Sequence, residues 1–259
     1  MLKQILLIIL CFFLLVACDM QEYPAPPGSD RKEILIYSGM TMIKPLLEVS
    51  KLFEQQENCV VKITYGGSGH IMRSVQINKI GDLFFPGNKL YIDELAEQEM
   101  IEETALVGYN QAALFVQPGN PKQITPDLHN LTDARFNVVI GSETSGAIGR
   151  ETKRILDNFG IYQQVIDNAL YLTTDSKGLN RAMRSHDADL VMNWKAVGYF
   201  PENKGKMEIL PHPEEPLHRR PLVIGTLRYS QNPKLAGKFL RLISSETGQQ
   251  IFQKFGFLD

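Results

Sequence analysis

The chain has 259 residues, and its 27 lysines and arginines nearly balance its 29 aspartates and glutamates, giving a formal net charge of −2 at pH 7. Nucleic-acid-binding proteins concentrate positive charge on one face, whereas the basic residues of this chain are scattered, so we expect no nucleic acid partner. After the N-terminal region no apolar segment is long enough to cross a membrane, and the remaining length suffices for one large or two modest lobes.

The N-terminus has the pattern of an export signal. Lys3 precedes an apolar run over residues 5–17, which has the length of a signal-peptide core and is too short to span a bilayer. The run ends Leu15-Val16-Ala17-Cys18, which resembles the lipobox of bacterial lipoproteins. The resemblance implies a lipoprotein signal peptide over residues 1–17 and acylation of Cys18. A plain secretory signal with an incidental cysteine is the alternative.

The segment that follows the signal bears on where the protein resides. Residues 18–31 are polar and rich in proline, as expected of a flexible tether between a membrane and a domain. An aspartate after the acylated cysteine, here Asp19, resembles the inner-membrane retention signal of Gram-negative lipoproteins. We therefore expect a periplasm-facing protein held on the cytoplasmic membrane by lipid alone, or a cell-surface protein in a Gram-positive organism. Cys59 then lacks a disulfide partner and is expected to be buried.

From residue 32 onwards strand and helix patterns alternate, which predicts parallel βαβ units. The expected strands cover residues 34–37, 60–65, 81–85, 112–116, 138–140, 170–172, 190–194 and 221–227. The expected helices cover residues 42–55, 69–79, 91–98, 148–159, 178–185 and 235–255, and residues 205–220 are expected to form a loop. A proline-rich stretch after residue 116 indicates a crossover. We therefore expect lobe 1 over residues 32–110 and 225–259 and lobe 2 over residues 111–224.

Four of the strand patterns end at small, polar or glycine residues, and a helix pattern begins directly after them. These junctions lie at residues 38–41, 66–69, 141–149 and 173–176. The N-terminus of a helix leaves backbone N–H groups unpaired and carries a partial positive charge, so each junction can cradle an anion. Ligands of open α/β sheets bind beyond the carboxyl ends of the strands, which is where these junctions lie.

The order of these segments resembles the molybdate-binding proteins of ABC importers, which have the type II periplasmic binding-protein fold. The segments that carry the resemblance are residues 36–41 (IYSGMT), 65–69 (YGGSG), 145–150 (SGAIGR), 175–178 (DSKG) and 187–194 (DADLVMNW). The resemblance spans the mature domain. It implies an α/β fold of two lobes, each a mainly parallel sheet flanked by helices, joined by two crossover strands.

The resemblance also implies a set of ligand-binding residues. Thr41 and Ser68 fall at the hydroxyls that contact the anion, and Ile148 and Ser176 at positions that donate a backbone N–H. Trp194 stands where the family has a ligand-contacting tyrosine. Taken singly, Thr41 and Ser68 could instead be helix N-caps, and Trp194 could be an ordinary core residue.

Two departures leave the identity of the anion open. Trp194 can donate one hydrogen bond but cannot accept one, unlike the tyrosine that it replaces. Residues 82–88 replace a Ser-Ala-Asp sequence that is usual in the family. Molybdate, tungstate, sulfate and related tetrahedral anions are all compatible with hydroxyl and backbone donors. The basic residues Arg73, Arg150 and Lys177 either set the electrostatic field at the mouth of the cleft or lie on solvated helix faces.

We therefore expect a non-catalytic, monomeric solute-binding lipoprotein. It is expected to bind molybdate or tungstate in the cleft between the lobes and to deliver it to the permease of an ABC importer. We expect no cofactor and no bound metal cation; the metal would be present only within the oxyanion. The alternatives are an anion-sensing lipoprotein and an importer component for sulfate-like or phosphate-like anions.

Two other classes of function have weaker support in the sequence. A serine hydrolase would use Ser68, but His70 occupies the last glycine position of the G-x-S-x-G motif. Nothing in the sequence pairs Ser68 with the other candidate bases, His186 and His218. A cation site could form from His212, Glu214, Glu215 and His218, but their spacing matches no metal-binding motif.

Overall fold

A computed structural model of the protein describes residues 31–210 and 219–257. The predicted signal peptide, the acylation site at Cys18, nearly all of the tether and the candidate cation ligands at residues 212–218 lie outside the described residues. Residues 32–259 group into one compact unit. Within the described part of the chain, no helix combines the length and the apolar character that a membrane crossing needs.

Strand and helix alternate through most of the structure, as predicted. The strands are β1 (Glu33–Gly39), β2 (Val60–Gly66), β3 (Leu83–Phe85), β4 (Ile101–Val116), β5 (Val138–Gly141), β6 (Tyr171–Thr173), β7 (Leu190–Trp194), β8 (Glu208–Leu210) and β9 (Arg219–Leu227). The α-helices are α1 (Ile43–Glu57), α2 (Ser68–Asn78), α3 (Leu90–Glu97), α4 (Ala147–Asn158), α5 (Tyr162–Asn168), α6 (Ser176–Arg184), α7 (Pro233–Ser244) and α8 (Glu246–Lys254). Short 3-10 helices cover Met40–Met42, Leu128–Thr132 and Lys195–Tyr199.

The strands follow the order β2-β1-β3-β9-β4-β7-β5-β6, and β8 pairs with β4. β1 is parallel to β2 and β3, and β5 is parallel to β6 and β7. These two parallel groups form the sheets of lobe 1 and lobe 2, which confirms the predicted fold class. Strands in parallel sheets are covered on both faces, and every residue of β5 and β7 is accordingly buried.

Two antiparallel strands connect the lobes. β4 pairs with β9 from Ile101 opposite Leu227 to Gln111 opposite Arg219, and its far end pairs with β7 in lobe 2. β9 also pairs with β3 in lobe 1. The two crossover strands therefore form one hydrogen-bonded ribbon between the lobes. The exact residues at which the lobes divide remain a prediction.

Helices cover both faces of the lobe 1 sheet. α1, α7 and α8 pack together on one face, where Phe53 meets Phe239 edge to face with ring centroids 5.0 Å apart. The buried thiol of Cys59 belongs to the same core, as predicted. Asn58 ends α1 in the left-handed conformation, with φ 48° and ψ 49°, which asparagine tolerates better than most residues.

The structure differs from the predicted elements in four places. β4 begins at Ile101, earlier than predicted, and β8 lies within the segment expected to be a loop. α5 was not predicted. The C-terminal helix is interrupted at Ser245, whose hydroxyl accepts a hydrogen bond from the N–H of Gly248 and so caps α8.

Candidate functional site

A small cavity lies where the carboxyl ends of the strands of both lobes meet. Its volume is about 10 Å³, close to the room that a single water molecule needs. The lining residues come from all four predicted junctions: Gly39, Met40, Thr41, Met42, Gly66, Gly67, Ser68, Gly87, Gly146, Ala147, Ile148, Asp175, Ser176 and Trp194. The structure thus brings all five predicted ligand-binding residues together around one space.

Two hydroxyl groups meet across the cleft at this cavity. The Oγ1 of Thr41, in the 3-10 helix that precedes α1, lies 2.8 Å from the Oγ of Ser176, the first residue of α6. Both side chains are buried. Thr41 therefore does not cap α1; its hydroxyl makes a hydrogen bond from lobe 1 to lobe 2.

Ser68 does not act as an N-cap either. The N-cap of α2 is Gly67, and Ser68 is the first residue of the helix. The Oγ of Ser68 accepts a hydrogen bond of 3.0 Å from the backbone N–H of Gly87, which follows β3. Because this bond occupies an acceptor position, the hydroxyl proton remains available to donate into the cavity.

Lobe 2 contributes the N-termini of two helices. Ala147 and Ile148 open α4 after Gly146, and neither N–H has an acceptor within the helix. At α6 the side chain of Asp175 accepts from the N–H of Gly178 at 3.0 Å. This cap leaves the N–H groups of the first two residues of α6 without an intrahelical acceptor.

Trp194 ends β7 and is 1% exposed, yet it lines the cavity. A Cβ placed on Gly87 would lie 3.7 Å from both the indole Nε1 of Trp194 and the Oγ of Ser68. The indole N–H and the serine hydroxyl therefore face the same space. Gly87 is not among the residues predicted to bind the ligand, although it lies in residues 82–88, which depart from the family pattern.

Glycines allow the two lobes to touch directly beside the cavity. A Cβ on Gly67 would lie 2.5 Å from the carbonyl oxygen of Ser145 and 2.7 Å from that of Thr174. The N–H of Gly69 donates a 2.9 Å hydrogen bond to the same Ser145 oxygen. The N-terminus of α2 thus packs backbone against backbone onto lobe 2, which a side chain at position 67 would prevent.

The lining of the cavity is nearly neutral. It includes no lysine, arginine or histidine, and its single ionisable side chain, Asp175, caps α6. The donors are hydroxyls, an indole and helix N-termini, a set that binds an anion without a fixed counter-ion. The lining that the structure describes therefore consists mainly of donors, and its one carboxylate, that of Asp175, accepts a hydrogen bond from the N–H of Gly178.

Two larger cavities nearby are lined by the basic residues Lys177, Arg73 and Arg150. Lys177 lines one of about 280 Å³ that shares Thr41 and Ser176 with the small cavity. Arg73 and Arg150 line another of about 340 Å³. There the guanidinium of Arg150 lies 4.2 Å from the centre of the Tyr91 ring, and burial raises the pKa of Tyr91 to about 12.

Neither rival chemistry is assembled in the described residues. The partner of the Ser68 hydroxyl is the Gly87 N–H, and His70 is exposed. No group of three or more histidine, cysteine, aspartate or glutamate side chains in residues 31–210 and 219–257 is placed to hold a metal ion. The candidate cation ligands that the sequence offered as an alternative, at residues 212–218, lie outside those residues.

Comparison with known proteins identifies the family. The model of the family described as bacterial extracellular solute-binding protein matches residues 34–258. This chain belongs to that family. Its members are the substrate-binding components of ABC transporters and are not enzymes, as predicted.

Individual relatives agree with the family and with the type II fold. The chain is 23% identical to the molybdate-binding protein ModA of Mycobacterium bovis over 257 residues, covering 94% of this chain and 92% of that protein. The periplasmic molybdate-binding protein of Azotobacter vinelandii superposes with a TM-score of 0.74 at 14% identity, covering 87% of this chain and 99% of the other. A periplasmic thiamin-binding protein superposes with a TM-score of 0.78 at 15% identity, covering 91% and 85%. The predicted family resemblance is therefore confirmed, while the fold itself is shared by binders of unlike ligands.

Proposed function

We propose that this solute-binding protein binds a small tetrahedral oxyanion in the cavity between its lobes, and that its main ligand is molybdate or tungstate. It then presents the ion to the permease of an ABC importer. The observation that carries the proposal is the convergence of neutral donors from both lobes on one small space. Thr41 and Ser68 would contribute hydroxyls, Ile148 and Ser176 backbone N–H groups, and Trp194 its indole N–H.

The chemistry of these donors favours a fully ionised ligand. Backbone N–H and indole N–H groups donate and cannot accept, so they pair with the oxygens of a dianion but not with the proton of an acid form. Hydrogen bonds to a charged group contribute about 1.5–3 kcal/mol each. Several such bonds from preorganised groups give useful affinity, while the missing counter-ion leaves the anion releasable.

The size of the cavity excludes large ligands. A space of about 10 Å³ holds about one water molecule, so a sugar, an amino acid or a vitamin would not fit, and even a tetrahedral oxyanion would require the two lobes to separate slightly. The 23% identity to a protein named for molybdate binding supports molybdate over other tetrahedral anions. The bound oxyanion is the cargo, and the proposal includes no resident cofactor.

The location follows from the N-terminal sequence. We propose that Cys18 is acylated and that Asp19 retains the monomeric protein on the outer face of the cytoplasmic membrane. Stable anchoring takes two or more acyl chains, because one chain alone binds only weakly. Mass spectrometry of the N-terminal peptide from the membrane fraction tests this point, and an unmodified Cys18 there would contradict it.

A thermal-unfolding screen tests the ligand. The panel is molybdate, tungstate, sulfate, phosphate and chromate, with thiamin as a ligand of a different class. An anion present at about 100 times its dissociation constant adds about 2.7 kcal/mol to the free energy of unfolding. For a domain of this size that corresponds to a rise in Tm of about 5–10 °C. Stabilisation by thiamin and by none of the oxyanions would refute the proposal.

A further inference from the structure

A buried carboxylate lies close to the cavity without lining it. Glu151, in α4 of lobe 2, has a side-chain exposure of 0%. Its oxygens accept hydrogen bonds from the Nη2 of Arg154 at 2.8 Å and from the Nε of Arg220 at 2.9 Å. Burying a carboxylate is costly unless it is paired and hydrogen-bonded, and the two guanidinium groups meet that requirement.

The third partner of this carboxylate belongs to the other lobe. The Nδ2 of Asn88, in the turn after β3 of lobe 1, donates to the Oε2 of Glu151 at 3.3 Å. The Oδ1 of Asn88 accepts from the N–H of Leu90 at 3.0 Å and so fixes the orientation of the amide. Asn88 is itself 2% exposed. The contact between Asn88 and Glu151 is thus a buried polar link across the cleft.

This link is one residue away from the backbone N–H that bonds the Ser68 hydroxyl, which is one of the proposed ligand donors. Gly87 precedes Asn88, and its N–H holds the Oγ of Ser68. A shift of Asn88 therefore moves the N–H that orients the Ser68 hydroxyl. On the other side, Arg220 lies in β9 opposite Asn110 of β4, so the carboxylate is also bonded to the ribbon that connects the lobes.

We propose that Asn88 and Glu151 form a latch that closes when the lobes come together and that sets the position of the Ser68 hydroxyl in the closed state. They are positioning residues, since neither lines the cavity. The inference rests on the proposed function of the cavity. Because the latch exists only in the closed protein, it slows ligand release and leaves ligand capture almost unchanged.

A reciprocal exchange of the two side chains tests the latch. In Asn88→Asp the carboxylate oxygen still accepts from Leu90, but the donor to Glu151 is replaced by a like charge. In the double variant Asn88→Asp with Glu151→Gln, the amide donor and the carboxylate change places, so the hydrogen bond across the cleft can form again. Asn78→Asp, at an exposed position at the end of α2, controls for the added negative charge.

The rate of molybdate release from the full chain is the readout. The chain has a single tryptophan, and Trp194 lines the cavity, so stopped-flow tryptophan fluorescence follows release directly. We expect Asn88→Asp to release the anion at least tenfold faster than the unmodified chain, with an association rate within twofold. The double variant is expected to release the anion at least threefold more slowly than Asn88→Asp, although it also loses the ion pairs of Glu151 with Arg154 and Arg220, and Asn78→Asp is expected to match the unmodified chain. Each ligand-free variant is also unfolded thermally, so that a fold defect is recognised.

Two results would overturn the latch. One is a release rate for Asn88→Asp equal to that of the unmodified chain. The other is a double variant whose acceleration is the product of those measured for Asn88→Asp alone and for Glu151→Gln alone, which would exclude a direct interaction. If the unmodified chain binds no oxyanion of the panel, the proposed function fails first. Small-angle scattering of the ligand-free chains then tests the latch by itself, because Asn88→Asp must be the more open protein and an identical radius of gyration refutes it.

Discussion

Replacing Gly67 with alanine should prevent the lobes from closing while leaving each lobe folded. The added Cβ would lie 2.5 Å from the carbonyl oxygen of Ser145, whereas ordinary van der Waals contact begins at 3.4 Å. The lobes must therefore separate by about 0.9 Å at this point (3.4 less 2.5). The 2.9 Å hydrogen bond from Gly69 to the same oxygen then lengthens beyond hydrogen-bonding distance.

The expected loss follows from the donors that lobe 2 contributes. Displacing two charge-assisted hydrogen bonds by almost an ångström costs about 3 kcal/mol or more, which weakens binding at least 100-fold. The fold should tolerate the change, because Gly67 has φ −62° and ψ 135°, a conformation that alanine adopts readily. Replacing a glycine at such a position even stabilises the folded state slightly.

Isothermal titration calorimetry with the anion that the thermal screen selects measures the change in affinity. Gly237→Ala is the matched control, because a Cβ there meets only the Nη1 of Arg241, at 3.5 Å, in a helix far along the chain from the cavity residues. Thermal unfolding without ligand confirms that both variants are folded. If Gly67→Ala binds the anion within threefold of the unmodified protein, the backbone contact between the lobes is not needed for binding.

Three further outcomes are expected from single substitutions and chemical labelling. Ser68→Ala and Thr41→Ala should each weaken anion binding by about 1–3 kcal/mol, the effect of losing one buried donor; titration calorimetry measures this, and two unchanged affinities would remove both residues from the site. Trp194→Phe keeps an aromatic ring but removes the N–H, so affinity should fall about 10–100-fold, as for a lost hydrogen bond to a charge, and an unaffected dissociation constant would show that the indole packs without donating. Cys59 is 1% exposed and burial raises the pKa of its thiol, so it should resist iodoacetamide at pH 8 until the protein is unfolded; mass spectrometry of its peptide measures this, and alkylation of the folded protein would contradict the packing.

The turns around the cavity could be predicted because their signals are local. Strand residues, a glycine or hydroxyl and an amphipathic helix follow one another within a few positions, and each parallel strand places its carboxyl end at the same edge. The meeting of the Thr41 and Ser176 hydroxyls across the cleft could not be predicted in the same way. This contact depends on how the two lobes approach each other in the folded protein, and no pattern within a few residues of the sequence indicates that.

Long-range pairing also explains what the sequence did not reveal. The first residues of β4 include Glu102 and Glu103, which have little strand propensity; the pairing of Ile101 and Thr104 with β9 on either side of them holds this segment in the sheet. Glu151 occupies an ordinary position in a charged helix, and nothing nearby in the chain predicts its burial. Its partner Arg220 is 69 residues away, and the carboxylate can be buried only because the fold brings that guanidinium to it.

The ribbon of β4 and β9 constrains how this protein can move. Two strands that are joined by backbone hydrogen bonds cannot slide past one another without breaking a series of bonds at once. They therefore bend together as one unit. Asn110 and Arg220 face each other in this ribbon. We therefore expect the lobes to part by bending of this ribbon rather than by sliding, and closure to return the N-terminus of α2 to the same carbonyls. In the proposed function, such a hinge would discriminate between ions by size, because an anion that is slightly too large would stop the lobes short of full closure.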